Sequence, residues 1–467
     1  MTQEGALTNA DIADRLASLA QLMAAGKENP YKVKAYQRAA ARIRAFSESI
    51  DELVHEEADL TGFPGIGEAI AACIREIVTT GTLGKLERLR AGATPELADI
   101  SRFPRLDPKR VLRVYKKLGI HSVDALRQKL DAGEIEKSLG LRLAQHIRQG
   151  LTETHAMLLY RADDLRASIE DFLLARCGTR RVEAAGDYRR RVEVIEDLAF
   201  VVETDDFTST LEKFGRLGGR TPLVTSDKHE AVFAVSAGIL VRLRRAAPGE
   251  WGLALIACTG SKAHLKKLSA VTGPLKTLKT SEWPDEEAFY GHFGLAFIEP
   301  ELREGYDEVE RAASGALPRL VTLKDIRGEL HAHSTSSDGA HSIEQMAEAA
   351  RSRGYEYIGM TDHSPSLKIA NGVTVEDLWK QIRFIDKLNA RLSGIRVLKS
   401  AEVDILADGT LDYPDELLRE LDYTVCSIHS HFGLNREQQT ERVVRAMENR
   451  YFNILGHATG RLLLKRP

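Results

Sequence analysis

The chain has 467 residues, 43% hydrophobic and 28% charged, with a formal net charge of -3. That length predicts two to four domains with ordinary apolar cores, and the near-neutral balance speaks neither for nor against nucleic acid, so any electrostatic footprint must be local. Four cysteines, Cys73, Cys177, Cys258 and Cys426, lie too far apart in sequence for a disulfide framework or a zinc ribbon and suit a reducing cytoplasm.

The N-terminus carries acids early and no apolar h-region, and no apolar run reaches about 18 residues, so neither a signal peptide nor a membrane span is expected. "TNADIADRLASLAQLMAAG" has a cap-like Thr8/Asn9, apolar positions at helical spacing and a stop at Gly26. A second helix follows Pro30 and is basic on several turns, with Lys32, Lys34, Arg38, Arg42 and Arg44. "FPGIGEAIAACI" then reads as a tight turn into a helix that ends at Gly81. Gly65, Ile66 and Gly67 would present the unpaired N–H groups of that helix start to an anion, and beside a basic helix a DNA phosphate is the expected one. An ordinary helix connection with a solvated charged face is the competing reading.

Residues 100–151 are again helical and loosely repeat this pattern. In "FPRLDPKRVLRVYKKLGI", Arg105 and Asp107 stand where the glycines should be. Asp107 would repel a phosphate, so this copy is expected to bind DNA weakly or not at all. From about residue 182 the chain turns β-rich, in "RVEVIEDLAFVVET", "AVFAVSAGILVRLRR" and "WGLALIACTG". Residues 300–325 read as a linker. Beyond 327, short apolar strands each end in His, Asp or Glu and alternate with helical patterns, which predicts a β/α barrel or layered fold with its site at the strand C-termini. Seven of the fourteen histidines fall there.

The stretches "NPYKVKAYQRAAARI", "GFPGIGEAI", "AGDYRR", "CTGSKAH", "GLAFIEPELREG" and "DIRGELHAHS" occur in one order that resembles the bacterial X-family DNA polymerases with a C-terminal PHP (polymerase and histidinol phosphatase) domain. The resemblance covers essentially the whole chain. It implies a multidomain α and α/β protein: helix-hairpin-helix domains at 1–90 and 91–152, a polymerase-beta-like nucleotidyltransferase palm at 153–250, a thumb-like region and linker at 251–318, and a PHP-type β/α barrel from 327 to 467. Nucleotidyl transfer needs carboxylates that hold two Mg²⁺ ions. On the family's acid strand Asp197 is kept, Ala199 takes the second position, and Arg242 stands where a neighbouring strand should supply the third. Gly186, Arg190, Gly260 and Ser261 remain from the nucleotide cradle, with Asp187 placing a negative charge beside it. Mg²⁺ and polymerase activity are therefore not expected, and a salt-bridged Asp197 is the favoured reading.

His331 and His333 share a strand face and can bind one metal. Imidazole with carboxylate suits Zn²⁺ or Mn²⁺. Carried over by the resemblance, the ligands of up to three ions are His331, His333, Asp338, His363, Glu402 as the bridge, His429 and His457. Asp362 and Asp404 are then supporting or proton-handling groups, while His341 and His431 are expected to be ordinary surface residues. The implied activity is phosphoester hydrolysis, as a 3′-5′ exonuclease or in 3′-end cleaning during repair. The implied partner is gapped, nicked or 3′-ended DNA, bound by a monomer in the cytoplasm at the nucleoid. The family also carries an Asp-x-His pair well beyond "GHATGRLL". The chain reaches Pro467 without it, so an interior cut and an unfinished barrel are expected.

Overall fold

A computed structural model describes residues 7–151, 156–235, 238–278 and 283–464. Pro467, on which the expectation of an interior cut rests, lies outside these. The chain divides into two compact units, Met1–Leu317 with Leu462–Pro467, and Pro318–Arg461.

The first unit opens on α1 (Asn9–Ala25) and α2 (Pro30–Ala45). Thr8 is the N-cap of α1, in a reciprocal capping box with Asp11, an arrangement worth about 1 kcal/mol. Asn9 is buried instead, donating to the Phe46 and Glu48 carbonyls and accepting from the Ile50 amide. The apolar stripe of α1, Ile12, Leu16, Leu19 and Met23, is fully buried against Ile43, Ile70, Ile74 and Ile77, each side chain contributing about 1.5–3 kcal/mol. The hairpin helix α3 (Glu68–Thr80) and its counterpart in the repeat, α4 (Pro108–Leu118), both end on a left-handed glycine, Gly81 and Gly119.

The β-rich section forms one five-stranded sheet. Its strands are β1 (Arg181–Ala185), β2 (Asp197–Glu203), β3 (Leu223–Ser226), β4 (Glu230–Ala234) and β5 (Leu240–Arg245), in the order β1-β2-β5-β4-β3. Only β2 and β5 run parallel, with Ala199 paired to Arg242. Two expectations fail here. "WGLALIACT" is a helix, α5 (Trp251–Thr259). It is apolar all round and rich in Ala and Leu, which suits a buried helix as well as a strand. The linker begins later than residue 300, since Glu308–Ser314 is helical, with Val309 and Ala312 buried. Its charges misled because Arg303 is buried in an ion pair with Glu286, and Glu308 is buried in a hydrogen bond with His264.

The second unit is a parallel sheet curled like half a barrel. Its strands follow chain order: β6 (Gly328–Ala332), β7 (Tyr357–Met360), β8 (Arg396–Asp404), β9 (Tyr423–Ser427) and β10 (Ile454–Leu455). Helices α6 (Ile343–Ser352), α7 (Val375–Asn389) and α8 (Arg436–Met447) make three of the crossovers. Because neighbouring strands are consecutive and parallel, every C-terminal end opens on the same rim.

Candidate metal centre

Glu402, 2% exposed, sits in β8 at the middle of that rim. His331 Nε2, His333 Nε2 and His363 Nδ1 lie 3.2, 3.4 and 3.0 Å from its Oε2. His429 Nε2 and His457 Nε2 lie 3.3 and 2.9 Å from its Oε1. One carboxylate thus faces imidazoles from four strand ends, three on one oxygen and two on the other. Asp338 adds an acid 3.3 Å from His333 and 3.7 Å from His363. Three sets of side chains offer ligand atoms close enough for one ion: His331, His333 and Glu402; His333, Asp338 and His363; His363, Glu402 and His429.

A buried carboxylate needs a compensating charge, and here its ionic partners among the described residues are all histidines. Burial works against the charge of Glu402, but contacts with His331 and His429 outweigh it and hold the carboxyl far below the usual range. Burial opposes the charge of His429 too, yet Asp404 and Glu402 push its pKa up to about 9. Burial lowers His363. The buried Nδ1 atoms of His333 and His363 form no well-aligned hydrogen bond, although Asp338 and Glu402 oxygens lie 3.3 and 3.0 Å away, a geometry that a shared cation would satisfy. This donor set fits a divalent metal.

Both supporting residues hold other parts of the site. Asp404 Oδ1 is 2.6 Å from His429 Nδ1 and fixes that ring. Of the two roles expected for Asp362, its contacts suit the supporting one. Its oxygens accept from the Ser334 amide and hydroxyl, the Ser337 hydroxyl and the Gln381 amide, at 2.7–3.0 Å, which fills a carboxylate's capacity. It anchors the loop between His333 and Asp338. Ser334, Ser337 and Gln381 were missed in the sequence, although the run "HSTSSDG" supplied a signal. His341 and His431 are exposed.

In the hairpin, Gly65 takes φ +84°, and Gly67 starts α3 with no side-chain cap. Ile66 is the buried plug beneath the turn, and Arg42 donates to the Pro64 carbonyl at 2.6 Å. Lys32, Lys34 and Arg38 are exposed along α2, whereas Arg44 pairs with Asp14. In the repeat, Asp107 caps α4 and accepts from the Lys109 and Arg110 amides at 2.9 and 3.2 Å.

In the β-sheet of the first unit, Asp197 is ion-paired with Arg242 at 2.6 Å. Gly186 is left-handed at φ +67°. Arg190 is bound to Asp187, Glu304 and the Thr259 carbonyl. Gly260 ends α5, and Ser261 caps the following helix.

A helical hairpin module and an imidazole-lined parallel half-barrel on one chain define a DNA-associated enzyme of the polymerase and phosphoesterase class. A helix-hairpin-helix domain model matches residues 7–83, and a PHP domain model matches residues 329–462. The DNA polymerase/3'-5' exonuclease PolX of Bacillus subtilis is 33% identical over 98% of this chain and 82% of its own length. A probable phosphatase of Acetivibrio thermocellus is 32% identical over 28% of this chain and 53% of its own length. Another, from a Thermoanaerobacter species, is 32% identical over 28% of this chain and 52% of its own. The chain belongs to the bacterial X-family DNA polymerases that carry a PHP domain.

Proposed function

We propose that the C-terminal domain hydrolyses phosphoesters at DNA 3′ ends, as a 3′-5′ exonuclease or end-cleaning enzyme of repair. The convergence of five imidazoles on the two oxygens of Glu402 carries this reading. His331, His333, Asp338, His363, Glu402, His429 and His457 would hold up to three Mn²⁺ or Zn²⁺ ions. Such ions supply an activated water and neutralise charge on a phosphoryl oxygen. Glu402 would be the carboxylate shared by these positions, Asp404 holds the His429 ring so that Nε2 faces Glu402, and Asp362 keeps the Asp338 loop in place.

The hairpin, with Gly65, Ile66 and Gly67, and the cations Lys32, Lys34 and Arg38 would grip the DNA backbone without reading bases. Gapped, nicked or 3′-ended DNA is the proposed substrate, taken by a monomer at the nucleoid. The five domains keep the boundaries expected above, with the thumb extending to Ser314. The nucleotidyltransferase-like part then serves as a platform, since Asp197 is neutralised by Arg242 and two of three acids are replaced.

The test is digestion of a 3′-labelled primer-template in Mn²⁺. Cleavage that disappears in His333→Ala supports the reading. Salt-sensitive DNA binding without turnover would leave a binding scaffold in its place. Nucleotide incorporation abolished by Asp197→Ala would restore a polymerase.

A further inference from the structure

Arg442 on α8 is 2% exposed, and none of its hydrogen bonds goes to a carboxylate. A guanidinium carries five donors and cannot give up its charge, so burial without an acid demands a complete set of acceptors. Here three of the five are backbone carbonyl oxygens of two loops, joined by the Gln439 side chain and the Ser430 hydroxyl. Nε donates to the Leu406 carbonyl at 2.7 Å. Nη1 donates to the Ser430 carbonyl at 3.0 Å, with Gln439 Oε1 at 3.4 Å. Nη2 donates to the Ile405 carbonyl and faces Ser430 Oγ at 3.4 Å.

Those loops carry chemistry. Ile405 and Leu406 directly follow Asp404, and Ser430 directly follows His429. The guanidinium therefore closes a ring: Asp404 to Ile405 and Leu406 along the chain, across Arg442 to Ser430, back along the chain to His429, and from His429 Nδ1 to Asp404 at 2.6 Å. Gln439, one turn earlier on α8, tethers the same loop through the His431 carbonyl at 2.8 Å. His431 is held at φ +54°, a left-handed conformation that a free loop would leave.

We propose that Arg442 is a positioning residue for the metal centre: by clamping the Ile405–Leu406 and Ser430 carbonyls it sets the spacing of Asp404 and His429, and so the direction of His429 Nε2. This rests on the metal-centre reading above. Lysine keeps the charge but gathers its three donors on one nitrogen at the end of a flexible stem, without the spread of the guanidinium fork. It can reach one loop and not both.

The experiment uses the full chain, stripped of metal and titrated with Co²⁺ by visible absorption and with Mn²⁺ by calorimetry. In Arg442→Lys, affinity at the His429 position falls about 10–100-fold, the range for groups that orient a ligand, and the sites built on His331, His333 and Asp338 keep theirs. Unfolding midpoint and DNA affinity stay near the parent's. The defect vanishes when Arg442→Lys is placed in a His429→Ala background, because the clamp acts through that ring. Gln439→Ala, which removes the second tether and one long contact of Arg442 but leaves the guanidinium on both loops, shifts the same site in the same direction by less. The proposal is overturned if folded Arg442→Lys binds both metals as the parent does, or if its loss adds fully to that of His429→Ala. Should Arg442→Lys unfold, an unchanged Gln439→Ala overturns it. A parent chain that takes up no metal refutes the metal-centre reading instead, which separates the two failures.

Discussion

Asp197 and Glu402 are both acids on parallel-paired strands, and their neighbours separate them. Asp197 faces Arg242 at 2.6 Å, on a surface where its side chain is 26% exposed. Glu402 is 2% exposed and faces five imidazoles. A guanidinium is permanently charged, so Asp197 is neutralised once and has no further demand for a cation. Imidazoles can be neutral, so Glu402 is compensated only by protons or by a metal. A carboxylate marks a metal site when its partners can surrender their protons, and the Arg242 guanidinium beside Asp197 cannot.

The contrast can be broken most forcefully at Glu402. Glu402→Gln should lower hydrolysis of a 3′-labelled DNA by about 10³-fold or more, roughly 4 kcal/mol of lost charge stabilisation. Unchanged turnover would remove the bridge from the mechanism. Next in size is the metal's own contribution to folding. Mn²⁺ at about a hundredfold excess over its Kd should stabilise the C-terminal domain by about 2.7 kcal/mol. Calorimetry should show the gain reversed by chelator and missing in Glu402→Gln. A smaller effect is due at Asp404→Asn, where a metal titration should read a loss of about 10–100-fold in affinity. Least of all, Asp197→Asn breaks a partly exposed ion pair, so chemical denaturation should register under about 1 kcal/mol and DNA cleavage should not change. A large effect on either would mean that Asp197 is more than a salt-bridged acid.

Much of the second unit was legible because strand-end chemistry is local: each histidine or acid closes its own apolar run, and consecutive parallel strands deliver all of them to one rim. The glycine turn at Gly65 and the Thr8 cap were readable for the same reason. What stayed hidden depends on distant partners. Arg303 and Glu308 looked like linker charges until Glu286 and His264, far away in sequence, buried them. Asp362 stayed between a supporting and a proton-handling role because nothing adjacent reveals that Ser334, Ser337 and Gln381 saturate it. The partners of Arg442 are likewise distant in sequence. α5 was misassigned because an apolar run of its length suits a buried helix and a buried strand equally.

Asp107 has a consequence of a different kind. Its carboxylate sits on the Lys109 and Arg110 amides, where the first hairpin leaves its helix start uncapped at Gly67. A bound phosphate can be diluted away or displaced by salt, but a tethered competitor is present at a fixed local concentration whatever the solution contains. DNA would have to displace this tethered carboxylate, so the helix start of the second hairpin is expected to take up a phosphate more weakly than that of the first and to add less to the counterions released on binding.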